Sequence, residues 1–378
     1  MHSFTFASLA MAFGLVSARK CQNITVSVEA SARNGVFNIS VPQTNIDVTN
    51  FILSGTEPGV NGTQEALTDY ATISDTFELA STYCTPDSGE SGSTLQILTH
   101  GIAFDRSYWD LPFNNFNYSY VETAVDQHGF STLSWDRLGI GASSHGDPLS
   151  VVQAPLEIAA LKALTKLAWS GSLPGISAKF DKIVHVGHSF GSIQTYALAR
   201  DEPKLSSGIV LTGFSTTGTY IPYFQLGGNF VSVTNVPSLA KEYEAGYLAA
   251  ADASAVHTNF FAPGQFDPEM LDFALATGQP VSLGELLTIG SAAAGISSFT
   301  GPVLVITGER DMPFCGGNCL PPTANGSLDL VAAVQEVFPG TKHFDAFVVP
   351  DAGHGLNLEY SHETTYQYIS NFLVGNGL

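Results

Sequence analysis

Lys182-Ile183-Val184-His185-Val186-Gly187-His188-Ser189-Phe190-Gly191 is the stretch on which the reading of this chain turns. Ile183, Val184 and Val186 predict a short strand of little polarity, as expected for a parallel strand covered on both faces. Gly187-His188-Ser189-Phe190-Gly191 follows without a break and carries the spacing Gly-x-Ser-x-Gly. Beyond it Ile193, Tyr196, Ala197 and Ala199 predict a helix that Pro203 stops. A strand that passes straight into a helix must turn sharply, and only residues without Cβ let the flanking segments approach so closely. The serine at the apex is held in strained backbone and presented outward. In a chain with 37 glycines the string alone is weak, so its place between strand and helix carries the argument. Ser189 is a candidate nucleophile.

The 378 residues are 44% hydrophobic, enough to bury one large core with an insertion. The first 18 residues contain no Asp, Glu, Lys or Arg. Phe4 to Val16 is a short apolar run, and Val16-Ser17-Ala18 is a small-residue cleavage pattern, so residues 1–18 read as a signal peptide. Its lack of a basic residue before the apolar run departs from the usual leader, and the run is short for a membrane span. Secretion through the export pathway is expected. Five Asn-x-Ser/Thr sites, at Asn23, Asn38, Asn61, Asn117 and Asn325, agree with it as glycosylation candidates. Four cysteines in an oxidising compartment imply two disulfides with three possible pairings, of which Cys21 with Cys84 and Cys315 with Cys319 is preferred. Loop-closure entropy gives roughly 4 kcal/mol for the long ring and roughly 2 kcal/mol for the short one. The net charge of −20 repels phosphate backbones and anionic headgroups, so no nucleic-acid partner and no stable membrane insertion are expected.

Along the chain, Ile24–Ala30 and Val36–Val41 read as alternating strands of a hairpin around Asn34-Gly35. Strands are expected at 94–99, 129–135, 208–212, 302–307 and 344–349, and helices at 156–169, 328–338 and 359–373. Strands alternating with helices of 10 to 15 residues mean βαβ units and a mostly parallel central sheet flanked by helices, an α/β architecture. From Phe214 to about Thr300 the alternation breaks into short amphipathic pieces interrupted by five prolines. Residues 216–300 are therefore read as a mainly helical cap, and 19–215 with 301–378 as the core.

This order of elements resembles the α/β-hydrolase family over most of the mature chain. The resemblance makes Ser189 the nucleophile, places the acid after the strand that follows the cap, and places the histidine after the last strand. Those positions hold Asp311, in Gly308-Glu309-Arg310-Asp311, and His354, in Asp351-Ala352-Gly353-His354-Gly355. A serine hydroxyl is a poor nucleophile until an imidazole takes its proton, and a buried carboxylate fixes that imidazole's tautomer. Glu309 and Asp351 are alternative acids. By the same resemblance Phe190, after the nucleophile, and Ile102, in His100-Gly101-Ile102, would supply the oxyanion hole. Asp136-Arg137-Leu138-Gly139-Ile140-Gly141-Ala142-Ser143 resembles a supporting turn of that family, and His188, His145 and His257 read as structural. No metal spacing and no phosphate cradle recur, so no metal or cofactor is expected.

Between Tyr220 and Phe273 the cap carries ten aromatic residues and one basic residue, Lys241. Such a lining suits an apolar or aromatic small molecule, although most of these rings must form the cap's own core. The expectation is a secreted serine hydrolase that cleaves a carboxylic ester or lactone through an acyl-enzyme. Two alternatives stay open. One is an aminopeptidase-like amide hydrolase, with Glu242, Glu244 or Asp252 to hold a free amino terminus. The other is a non-hydrolytic protein of the same fold, a cyclase, a lyase or a binding protein. Oligomeric state is not legible.

Overall fold

The computed structural model describes residues 19–87 and 93–378; the expected leader over 1–18 lies outside them. The chain begins with β1 (Arg19–Phe37), passes through α1 (Asn45–Gly55) and α2 (Gly62–Ala66), and returns antiparallel as β2 (Leu67–Pro86). There follow β3 (Thr94–Thr99), the single-turn α3 (Tyr120–Glu122), β4 (Ser131–Trp135), α4 (Ala154–Ser170), β5 (Lys182–His188), α5 (Phe190–Asp201) and β6 (Gly208–Thr212). The segment expected to be a cap contains α6 (Ile221–Gly227), β7 (Phe230–Ser232), β8 (Tyr247–Ala250), α7 (Ala253–Phe260), α8 (Pro268–Ala276), β9 (Val281–Ser282) and α9 (Leu283–Ala292). The chain closes with β10 (Val303–Gly308), the short α10 (Met312–Cys315), β11 (Phe344–Val349) and α11 (His362–Gly375).

Eight strands form one sheet in the order β1-β2-β4-β3-β5-β6-β10-β11, and β7, β8 and β9 form a second, small one. From β4 to β11 every neighbour is parallel, while β1 and β2 are antiparallel additions at one edge. Burial explains the run of apolar residues in the central strands: every residue of β3, β4, β6 and β10 is buried, because helices cover both faces. α4 lays Leu156, Ala160, Leu161, Leu164 and Ala168 on one face, and Gly171 ends it in the left-handed conformation. Truncating Leu161 there costs about 2 to 5 kcal/mol. On the opposite face the core runs without interruption into the inserted segment, where Phe224, Leu248, Phe260 and Met270 join it.

Two expectations are corrected. Asn34-Gly35 is not a turn but lies inside the continuous strand β1, paired with Ala71 and Tyr70 of β2. Hydrogen bonds to the distant segment 150–153 explain this: the Gln153 side chain accepts from Gly35 N–H at 2.8 Å and donates to Gly35 C=O at 2.8 Å, while the Asn34 amide donates to Ser150 and Val151 carbonyls. The helix expected over 328–338 is a shorter 3-10 segment, Ala332–Val337.

Candidate active site

At the end of β5 the backbone of Ser189 takes φ 56° and ψ −118°, left-handed space that an L-residue enters at a cost of about 1 to 3 kcal/mol. Hydrogen bonds on both sides hold it: Ser189 N–H donates to Thr212 C=O, and Ser192 and Ile193 N–H donate to Ser189 C=O. Glycine is required at 191, because a Cβ there would collide with the carbonyls of Thr99 and His100 at the end of β3. Strain is thus fixed by packing, and the hydroxyl stands at the N-terminus of α5.

β10 and β11 bring up the other two groups. Asp311 N-caps α10, with Oδ1 accepting from Phe314 N–H at 2.8 Å and Oδ2 from the Thr307 hydroxyl at 2.6 Å. The same Oδ2 accepts from His354 Nδ1 at 2.7 Å, and both side chains are fully buried. Nδ1 therefore carries the imidazole proton and Nε2 is left as an acceptor, which has no partner among the described residues. Ser189 and His354 do not share a hydrogen bond in this structure, a closure that substrate-free sites often leave unmade. They lie in one cluster nonetheless. A Cβ on Gly101 would stand 2.8 Å from Ser189 Cβ and 3.2 Å from His188 Cδ2, and one on Gly213 would stand 2.9 Å from Cε1 of both His188 and His354. Glu309 and Asp351 bond each other instead, Asp351 N–H donating to Glu309 at 3.4 Å.

Phe190 N–H and Ile102 N–H donate to no acceptor among the described residues. The peptide that carries the second is clamped from its carbonyl side. Arg137 N–H donates to His100 Nε2 at 3.0 Å, so the His100 proton sits on Nδ1 and is donated to Gly101 C=O at 2.8 Å. Burial, with Arg137 beside it, holds His100 well below the ordinary histidine range, hence neutral. In a trans peptide the N–H points away from its carbonyl, so fixing Gly101 C=O fixes the direction of Ile102 N–H. The guanidinium of Arg137 lies over the Phe190 ring, 4.7 Å from its centroid. It is paired with Glu157 of α4 at 2.6 Å and with Glu285 of α9, all three fully buried. One buried triad of Arg137, Glu157 and Glu285 therefore ties α9, at the end of the inserted segment, to the turn beneath the serine. Burial outweighs the attraction of Arg137 and pushes Glu157 up to about 8.

Several participants escape sequence reasoning. Phe104 and Phe260 pack edge to face at 5.0 Å, and Phe260 and Phe314 flank the His354 ring at 5.9 and 5.6 Å. Of the ten aromatics between Tyr220 and Phe273, Phe260 stacks on the His354 ring, while pairs such as Phe224 with Phe230 and Tyr243 with Tyr247 pack on one another within the inserted segment. Glu359, fully buried, accepts from Ala262 N–H at 2.5 Å and Gly353 N–H at 2.6 Å. Burial, reinforced by the nearby Asp311 charge, pushes it up to about 8 against the pull of those two donors. With Gly355 N–H on Phe260 C=O and Tyr360 N–H on Gln265 C=O, it fastens segment 260–265 to the loop that carries His354. The signal available for Glu359 was a lone acid in the apolar run after His354.

Ser189 is only 8% exposed and His354 1%, so both lie beneath the protein surface. Glu242, Glu244 and Asp252 are exposed, and the Asp252 carboxylate caps α7. Both cysteine pairs close as disulfides, Cys21–Cys84 and Cys315–Cys319. All five glycosylation candidates are exposed, Asn61 with its side-chain oxygen engaged in capping α2. Among the described residues no group of three His, Cys, Asp or Glu is disposed to hold a metal, and no helix is long and apolar enough to cross a membrane.

The sequence profile of the alpha/beta hydrolase family matches residues 96–365. No curated protein matches the sequence. Among solved structures, a thermophilic esterase from Thermogutta terrifontis superposes with TM-score 0.51 at 18% identity, covering 79% of this chain and 94% of that one. A bromoperoxidase from Bacillus anthracis gives TM-score 0.51 at 14% identity, over 79% and 96%. A putative non-heme bromoperoxidase from Mycobacterium tuberculosis gives 0.50 at 16%, over 79% and 96%. At these identities the likeness is one of fold.

Proposed function

The chain belongs to the alpha/beta hydrolase family, and from that premise we propose that it is a secreted serine hydrolase cleaving a carboxylic ester or lactone of an apolar or aromatic small molecule. One observation carries the reading: the buried Asp311–His354 pair at 2.7 Å, with an unpartnered Nε2, set in the same cluster as a serine in strained, elevated backbone. His354 takes the Ser189 proton as Oγ attacks the carbonyl carbon. Asp311 holds the tautomer and stabilises the imidazolium. Phe190 and Ile102 N–H receive the charge that develops on the carbonyl oxygen, and the N-terminus of α5 adds its field. His354 then protonates the leaving alcohol, and water releases the acid from the serine. Phe104, Phe260 and Phe314 favour an apolar acyl or aryl group. Residues 216–300 act as the cap over a core of 19–215 and 301–378. Two disulfides and five exposed glycan sites support passage through an oxidising export route, with the leader at 1–18 removed. The amide-hydrolase alternative draws less support, because the cap carboxylates it needs are solvent-exposed. A fluorophosphonate probe tests the reading: the wild-type protein labels and turns over p-nitrophenyl esters, and Ser189→Ala and His354→Ala do neither. An unlabelled wild-type protein refutes it.

A further inference from the structure

His188, inside the elbow, has a second unexplained acceptor. The Thr212 hydroxyl donates to Gly187 C=O at 2.9 Å and so accepts from His188 Nδ1 at 3.1 Å. The proton is thereby placed on Nδ1, and Nε2 of this fully buried ring has no partner among the described residues. Tyr108 stacks on the ring at 4.3 Å and 13°, which keeps it from turning. Cδ2 faces Gly101 and Cε1 faces Gly213, so Nε2, between them, looks into the gap bounded by Ser189, Gly101, Gly213 and His354. The two imidazole centroids are 4.9 Å apart. Burial, with His354 and His100 close by, keeps His188 well below the ordinary histidine range, so its lone pair stays free.

Two buried acceptors on one gap call for a donor with two protons. An alcohol has one O–H; water has two. Building on the serine mechanism above, we propose that His188 Nε2 and His354 Nε2 together hold the water that cleaves the acyl-enzyme, with His188 as its positioning residue. The water donates one O–H to each ring. Its oxygen forms a bond to the acyl carbon as the first proton passes to His354 Nε2. The tetrahedral intermediate collapses with cleavage of the bond from acyl carbon to Ser189 Oγ, His354 returns the proton to Oγ, and the carboxylic acid leaves. His188 accepts a hydrogen bond throughout and gains no proton.

The two halves of turnover separate this from a structural role. His188→Phe keeps the ring against Tyr108 and deletes the acceptor. Its fluorophosphonate labelling rate and stopped-flow acylation by p-nitrophenyl acetate should stay within about 3-fold of wild type, while acyl-enzyme decay, followed by intact mass, slows about 10- to 100-fold. His188→Gln, whose side-chain oxygen reaches the place of Nε2, should restore most of the decay rate. Should the phenylalanine variant not fold, His188→Met against His188→Gln gives the same contrast. Equal loss in acylation and decay, or no difference between variants with and without an acceptor, overturns the proposal. Absence of any covalent adduct in the wild-type protein instead overturns the serine reading beneath it.

Discussion

Raising the pH from 6.5 to 8 destabilises this fold. Glu157 and Glu359 are pushed by burial up to about 8, far above the unfolded value of 4.5, so between those limits the folded chain holds protons that the unfolded chain has lost. Stability attached to these groups is complete below pH 4.5 and is lost as the pH climbs through 8. Three buried histidines act in the opposite sense. His185 is pushed down to about 3 by burial, and His100 and His188 also lie well below 6.5, so the unfolded chain binds their protons up to 6.5 and stability rises with pH until there. From 4.5 to 6.5 three rising contributions outweigh two falling ones. Above 6.5 the two carboxyls dominate while the last unfolded-state histidine protons leave, and the maximum falls just below pH 6.5. Between 6.5 and 8 the two carboxyls lose about 3 kcal/mol and the three histidines regain about 1, a net loss of about 2 kcal/mol. With an unfolding entropy of about 2 cal/mol/K per residue, Tm drops by about 3 °C. Thermal melts at constant ionic strength from pH 5 to 8 measure it, and Glu157→Gln and Glu359→Gln should each remove about half of the alkaline slope. A Tm that is flat or rising above pH 6.5 refutes the reasoning.

Arg137→Met strands Glu285 without its cation and Glu157 without its hydrogen-bond donor, and should cost about 3 to 5 kcal/mol, read as a Tm loss of roughly 4 to 7 °C that Glu157→Leu partly restores. Asp311→Asn leaves the cap of α10 nearly intact but reverses the hydrogen-bond sense at His354 Nδ1, so kcat on p-nitrophenyl esters should fall about 10⁴-fold. Gly101→Ala presses a Cβ to 2.8 Å from Ser189 Cβ and displaces the Ile102 donor, which should slow fluorophosphonate labelling by at least about 10²-fold with the circular dichroism unchanged. Removing Cys21–Cys84, which spans 63 residues, should lower stability by about 4 kcal/mol in urea unfolding, against about 2 kcal/mol for Cys315–Cys319, which spans four.

The central strands are legible because nothing competes with their pattern: β3, β5, β6 and β10 are apolar runs buried on both faces, and each ends in a residue set with a recognisable turn. Ser189 and Asp311 follow such ends and His354 follows the half-buried β11, which is why their order can be read before their contact is known. The first strand misleads for a local reason. Asn34-Gly35 has the composition of a two-residue turn, but Gln153, 118 residues away, satisfies both backbone groups of Gly35 in extended form. β2 hides likewise, its first half polar and exposed and given sense only by pairing with β1. Long-range partners also conceal the triad around Arg137, whose acids lie 20 and 148 residues on, and the acceptor role of Glu359. A charge looks like surface until the groups that bury it are known.

Three hydrogen bonds between 260–265 and the loop after β11, with a fourth inside that loop from Gly353 N–H to Glu359, make this flank of the inserted segment and His354 one rigid piece. Admission of a ligand from that side would drag the imidazole out of register with its carboxylate. A ligand must therefore enter without displacing 260–265, and a substitution inside that segment is felt at the imidazole as well as at the entrance.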